Sequence, residues 1–118
     1  VGEKFYLGYR SQAKSVVIPI FKDYFDDSLK GYNYDPEKAK QLLDEAGYKD
    51  VNNDGFREDK NGKPLVIKFA SMSGGEIAEP LSAYYIQCWK EIGLNVELTG
   101  GRLIELNAYY DKLKKDDP

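Results

Sequence analysis

The sequence predicts an α/β fold in which a βαβ unit, a hairpin and flanking helices share one domain. Three observations predict it. Leu65-Val66-Ile67-Lys68-Phe69-Ala70 places Leu65, Ile67 and Phe69 on one face of a strand. Leu94-Asn95-Val96-Glu97-Leu98-Thr99 alternates apolar with polar residues, the period of a half-buried strand. Between them, Ile77, Leu81, Tyr84, Tyr85, Cys88 and Ile92 follow helical spacing. A strand, a helix and a second strand in this order imply parallel pairing with a right-handed crossover.

From the N-terminus, Val1-Gly2-Glu3-Lys4-Phe5-Tyr6-Leu7-Gly8 reads as the last turns of a helix closed by Gly8. Val16–Phe21 is a short extended apolar run that Pro19 restricts to an edge or non-strand segment. Lys22–Tyr34 is polar and aromatic, a surface loop with a turn at Lys30-Gly31. Asp35 then caps a helix with Pro36 in its first position, where a missing N–H costs nothing. Glu37 faces the positive end of the dipole, and Ala39, Leu42, Leu43 and Ala46 form one apolar stripe that Gly47 ends.

Two readings fit the acidic stretch that follows. As turns, Asn53-Asp54-Gly55 tolerates positive φ and Asn61-Gly62 nucleates a hairpin between Phe56–Asp59 and Leu65–Phe69. As a metal loop, Asp50, Asn52, Asp54 and Gly55 match the opening of a calcium loop, with the Phe56 carbonyl next and Glu58 at the water-mediated position. The twelfth position is Asn61 in place of the bidentate glutamate, so the turn reading is preferred and calcium would bind weakly. Farther on, Ser71-Met72-Ser73-Gly74-Gly75 breaks a strand, Pro80 requires a helix start near Glu76–Glu79, and Gly93 closes that helix. A last helix carries Leu103, Leu106, Tyr110 and Leu113 on one face.

Composition narrows the function classes. The chain has 118 residues, a net charge of −3 with acids and bases interspersed, one cysteine and no histidine. An interspersed acidic balance argues against a nucleic-acid groove. A lone Cys88 excludes an internal disulfide and a multi-cysteine zinc site, and the absence of histidine removes His-based dyads and the common zinc sites. Ser11, Ser15, Ser71 and Ser73 lack a base to activate them, so no catalytic apparatus is read and no enzyme is expected. No apolar run reaches the length of a membrane span. The start without Met and the stop just past a helical pattern, at Asp116-Asp117-Pro118, read as the edges of a segment of something longer.

Order and spacing from Tyr34 to Lys115 resemble the extracytoplasmic solute-binding proteins of peptide ABC importers, the oligopeptide-binding type. The matching stretches are Tyr34–Lys40 with Leu42-Leu43 and Glu45-Ala46-Gly47, then Asn53–Glu58 and Gly62–Leu65, then Trp89–Leu98 and Asn107–Lys115. Residues 1–33 fit more loosely. The resemblance implies a periplasmic-binding-protein-like lobe, with residues 1–118 forming part of the second large lobe of a two-lobed protein. That protein would close on a peptide outside the membrane and deliver it to a membrane permease. The family holds its ligand through backbone hydrogen bonds with roomy, wet side-chain pockets. An aromatic and acidic stretch that contacts ligand would lie beyond Pro118, so the chain alone should bind peptide weakly or not at all.

Ligands of open α/β sheets sit beyond the carboxyl ends of strands, which singles out Ser71, Ser73, Gly74 and Gly75, where a loop enters a helix N-terminus. A plain connecting loop is the competing reading. Leu106 and Tyr109 are weaker candidates, with core packing as their alternative. Tyr84, Tyr85 and Tyr110 are assigned to packing, and Cys88 to a buried small hydrophobe. Lys-, Tyr- and Asn-rich composition suggests a Gram-positive source and a cell-surface lipoprotein, its anchor outside this chain. The rival readings are a relative that binds another small solute, such as nickel or a sugar, and a calcium-dependent adhesion or interaction module built on Asp50–Glu58.

Overall fold

The computed structural model describes residues 5–10 and 12–114. The ends at 1–4 and 115–118, which carry parts of the first and last predicted helices, lie outside the described residues. Contacts divide the chain into two compact units, Val1–Asp35 and Pro36–Pro118.

In the first unit, Phe5 and Tyr6 are helical and the chain turns through Leu7 and Gly8, both left-handed (φ 51° and 82°), with Tyr9 N bonded to Tyr6 O at 2.9 Å. Val16–Phe21 forms bends and turns and no strand, as Pro19 allows. The turn expected at Lys30-Gly31 forms earlier, at Asp26–Leu29. The physical reason is Asp26, whose carboxylate accepts both the Ser28 N–H (3.0 Å) and the Ser28 hydroxyl (2.6 Å). The same bonds, the hydroxyl first, hold its carboxyl below the usual carboxylate range.

The second unit contains the βαβ unit that the sequence predicts. Helix α1 spans Pro36–Glu45, strand β1 Val66–Phe69, helix α2 Ala78–Glu91, strand β2 Asn95–Leu98 and helix α3 Leu106–Lys114. β1 and β2 pair in parallel, in register from Val66 opposite Asn95 to Phe69 opposite Leu98. α2 packs on β2, and Phe69 meets Trp89 edge-on at 5.0 Å between centroids. Among the described residues Val96 is the single apolar side chain that is buried, at 8% exposure. The predicted stripes are correspondingly less covered than expected: Leu42, Leu106, Tyr110 and Leu113 are exposed, and Cys88 is half-buried. Tyr84 pairs with Tyr85, and Tyr85 with Trp89.

Both α1 and α2 stop the same way. Gly47 N bonds to Asp44 O and Tyr48 N to Leu43 O; Gly93 N bonds to Lys90 O and Leu94 N to Trp89 O. Each is a Schellman motif with a left-handed glycine, at φ 88° and 84°.

The hairpin departs from its prediction. The second expected strand forms, as β1, but it pairs with β2; toward the first, the described residues show only a single antiparallel bridge, between Glu58 and Pro64. The first strand's amides are committed elsewhere: Arg57 N donates to Gly93 O at 2.8 Å and Glu58 N to Lys49 O at 3.0 Å. The tip is not the two-residue Asn-Gly turn either, since that turn needs positive φ at both positions and Gly62 alone has it, at 75°. Instead Gly62 N bonds back to Asp59 O and Asp59 N to Lys63 O, a three-residue loop with glycine at its left-handed position. Asp59 selects it by accepting the Lys63 and Asn61 amides, bonds that lower its carboxyl pKa, the Lys63 bond first. Because that pKa is depressed, the loop's extra stability is present above the unfolded value and is lost as pH falls through the folded one.

Candidate functional site

Among the described residues of the second unit, chemistry comes together at two places. The first is the loop leaving β1. Ser71 O accepts from Ile104 N (2.8 Å) and Ser73 N donates to Ile104 O (2.7 Å), so Met72 and Ile104 form a parallel bridge that fixes the loop beyond the carboxyl end of the strand. Ser71 Oγ lies 2.7 Å from Ser82 Oγ, and the Ser82 hydroxyl donates to Ala78 O at 2.7 Å. Each hydroxyl has one proton, so Ser71 is the donor of the pair. Ser71 is therefore turned toward α2 as a structural contact, while Gly74 and Gly75 are exposed and left-handed (φ 106° and 84°) with open space beside both. The helix start offers fewer free amides than expected, because Ala78 N already bonds to Gly75 O (3.3 Å) and Pro80 has no N–H.

Tyr109 lies half-buried on α3, its ring edge-on to Tyr110 at 6.2 Å. Among the described residues no hydrogen bond or ring contact joins it to the loop. Ser82 is a contributor that the pattern missed: it is 4% exposed, deeper than any apolar residue of α2. A serine inside an apolar helical stripe that bonds back one turn was its signal. Ser71→Ala is expected to lower stability by about 1 kcal/mol while leaving the affinity of the intact protein for its solute within about twofold. Chemical denaturation and a binding titration on one preparation check both; a large affinity loss with unchanged stability would contradict the inward assignment.

The second place is the acidic turn. Asp50 Oδ2 accepts from Gly55 N (2.9 Å), Asn52 Oδ1 from Asp54 N (2.8 Å) and Asp54 Oδ1 from Phe56 N (2.8 Å). Glu58, 3% exposed, accepts from Val51 N at 2.8 Å and from the Asn52 amide at 3.0 Å, and the same amide reaches Asp54 Oδ2 at 3.1 Å. One oxygen each of Asp50, Asp54 and Glu58 lie within 4.8 Å of one another. The turn chemistry is therefore present, with Asn53 left-handed at φ 61°, and the sequence-predicted carboxylates converge within it. Beside it an open cavity of about 580 Å³ is lined by Lys40, Lys49, Lys90 and Arg57 together with Asp44, Asp50 and Glu91. Ser11, Lys115, Asp116 and Asp117 lie outside the described residues.

Arg57 lines the cavity beside the acidic turn and was not singled out by pattern. It is 9% exposed; its Nε donates to Ile92 O (2.8 Å), and its Nη1 donates to Tyr48 O (2.6 Å) and to the Asp44 carboxylate. One guanidinium thus joins the C-terminal ends of α1 and α2, where free carbonyls carry partial negative charge.

Comparison with known proteins follows the same outline. Residues 1–117 match the family described as bacterial extracellular solute-binding proteins, family 5 Middle. The chain is 42% identical over 114 residues to the oligopeptide-binding protein OppA of Lactococcus lactis subsp. cremoris, covering 96% of this chain and 19% of that protein. The solved structure of lactococcal OppA, complexed with an endogenous peptide in the closed conformation, superimposes with a TM-score of 0.80 at 42% identity over 87% of this chain and 19% of that one. The Bacillus subtilis oligopeptide-binding protein AppA, solved in complex with a nonapeptide, gives a TM-score of 0.81 at 27% identity over 95% of this chain and 22% of that one. The chain thus spans about a fifth of the length of the curated relatives it matches.

Proposed function

Since the chain belongs to the bacterial extracellular solute-binding proteins of family 5, we propose that it is part of the substrate-binding component of an ABC importer. The whole protein captures oligopeptides outside the cytoplasmic membrane and passes them to the permease. What carries the reading is kinship with oligopeptide-binding proteins across nearly the whole chain, joined to a parallel βαβ unit whose first strand ends in a pinned, glycine-bearing loop. Ser73, Gly74 and Gly75 form the edge of that loop available to a ligand backbone. Ser71 supports the loop from within, and Tyr109 is a flanking aromatic. The work is binding; no catalytic step is assigned. We further propose a cell-surface lipoprotein from a Gram-positive source, a reading that the Lys-, Tyr- and Asn-rich composition supports.

The test uses the intact protein. Denaturing it after purification should release bound peptides detectable by mass spectrometry, and the emptied protein should bind a random peptide pool with a Kd of about 1 μM or tighter. Release of no peptide, with binding of nickel or an oligosaccharide instead, would replace peptide with another solute inside the same family. The adhesion-module reading finds no counterpart among the relatives described above.

A further inference from the structure

We propose that Arg102–Glu105 is the positioning element of the ligand edge, a strap that sets the loop after β1 and helix α3 as one unit. The inference rests on the reading of Ser73, Gly74 and Gly75 as the edge that meets a ligand backbone. Ile104 takes the loop by its main chain: its N–H donates to Ser71 O at 2.8 Å, and its carbonyl accepts from Ser73 N at 2.7 Å. Glu105, the next residue, takes the helix. Its carboxylate accepts from Asn107 N at 3.1 Å and from Ala108 N at 3.4 Å, amides that a helix start leaves unpaired. Its carbonyl accepts from Tyr109 N at 2.9 Å. Two adjacent residues therefore fix both the ligand edge and the turn of α3 that carries Tyr109, a link that needs no direct contact between Tyr109 and the loop.

The strap is aimed by the pair of glycines before it. Leu98 closes β2 in an extended conformation (φ −64°, ψ 136°), Gly100 and Gly101 are both left-handed (φ 67° and 72°), and Arg102 is extended again (φ −151°, ψ 164°). Two successive left-handed residues bend the chain sharply, and it then runs beside Met72, where Ile104 pairs in parallel. A Cβ on either glycine would meet nothing within 4 Å. The need for glycine is thus one of backbone conformation alone, because an L side chain is strained in the left-handed region even with open space around it. With no neighbour to avoid, the pair serves the path of the chain, and that path leads to the ligand edge.

The experiment measures peptide affinity and thermal stability of the intact protein for Gly101→Ala, Gly101→Asn and Gly62→Ala. Gly62 is the matched control: its φ is 75°, a Cβ there also meets nothing within 4 Å, and it sits in the loop closed by Asp59 and Lys63. Both alanines carry the same backbone strain and should lower the melting temperature alike. Only Gly101→Ala should also weaken peptide binding, by about tenfold, because a strap relaxed in the free protein must return to its strained path when ligand binds. Asparagine tolerates the left-handed region, so Gly101→Asn should stay within about threefold of wild type. In the same preparations the Ser73 and Ile104 amides should lose exchange protection in Gly101→Ala and keep it in Gly62→Ala. Peptide affinity no lower in Gly101→Ala than in Gly62→Ala overturns the strap. Should Gly101→Ala not fold, Glu105→Ala takes its place, since it removes only an exposed side chain. It should weaken peptide about threefold, and unchanged affinity overturns the strap in the same way. Binding of a solute other than peptide defeats the peptide reading alone, and the same comparison made with that solute still decides the strap.

Discussion

Replacing Arg57 by alanine is expected to remove about 3–5 kcal/mol of local stability, felt at the C-terminal ends of α1 and α2 together. The size comes less from the ion pair than from what it leaves behind. Asp44 has 53% of its side chain exposed, so its attraction to the guanidinium is screened and contributes under about 1 kcal/mol. The carbonyls of Tyr48 and Ile92 are different. Ile92 caps α2 and Tyr48 follows the glycine that closes α1; both carbonyls accept from Arg57, and losing such a charged donor costs about 1–3 kcal/mol each. Loss of the packed side-chain stem adds to this, since only 10% of the Arg57 side chain is exposed. With Val96 the single buried apolar side chain among the described residues, this polar staple carries a larger share of the fold than an arginine usually does. Arg57→Lys should recover roughly half of the loss, because an ammonium cannot hold two carbonyls and a carboxylate in the planar geometry of the fork. Hydrogen exchange of the intact protein, read on peptides covering residues 40–48 and 88–94, checks this; protection lost at one helix end and kept at the other would refute the staple.

The difference between Arg57 and the elements around it explains what could be read from the residues alone. The helices, the parallel strands and the two glycine stops depend on local chemistry: Pro36 opens α1, Gly47 and Gly93 take left-handed conformations, and alternation marks β2. Local rules suffice there. The hairpin failed for a non-local reason, because the amides of Arg57 and Glu58 bond to Gly93 and Lys49 instead of to a partner strand. No pattern within residues 56–69 announces a partner 36 positions away. The same holds at the loop after β1. Its position was legible from topology, but the inward turn of Ser71 depends on Ser82, and its tether on Ile104. In the acidic turn, the residue types were legible and the role of Glu58 was not, since its reach depends on how tightly the turn closes.

Gly93→Ala should cost about 2–4 kcal/mol, clearly more than Gly47→Ala at about 1–2 kcal/mol, although the two glycines close their helices identically. Both sit at nearly the same left-handed φ, so the backbone penalty of an L side chain is shared. The surroundings differ. A Cβ on Gly47 would meet Lys60 Cγ at 3.7 Å, an ordinary contact with an exposed chain that can move aside. A Cβ on Gly93 would stand 3.2 Å from both Cγ and Nε of Arg57 and 3.5 Å from its Cδ. Arg57 cannot move aside without releasing Ile92 O and Tyr48 O, and its own backbone N–H is bonded to Gly93 O. The excess cost of the Gly93 substitution is therefore the cost of displacing the staple. A double-mutant cycle isolates it: with Arg57 already replaced by alanine, Gly93→Ala should fall to the cost of Gly47→Ala, a coupling of about 1–2 kcal/mol. If Gly93→Ala stays as costly without the arginine, the crowding lies elsewhere; if the excess disappears, the glycine at the end of α2 is required by the arginine as much as by its own φ.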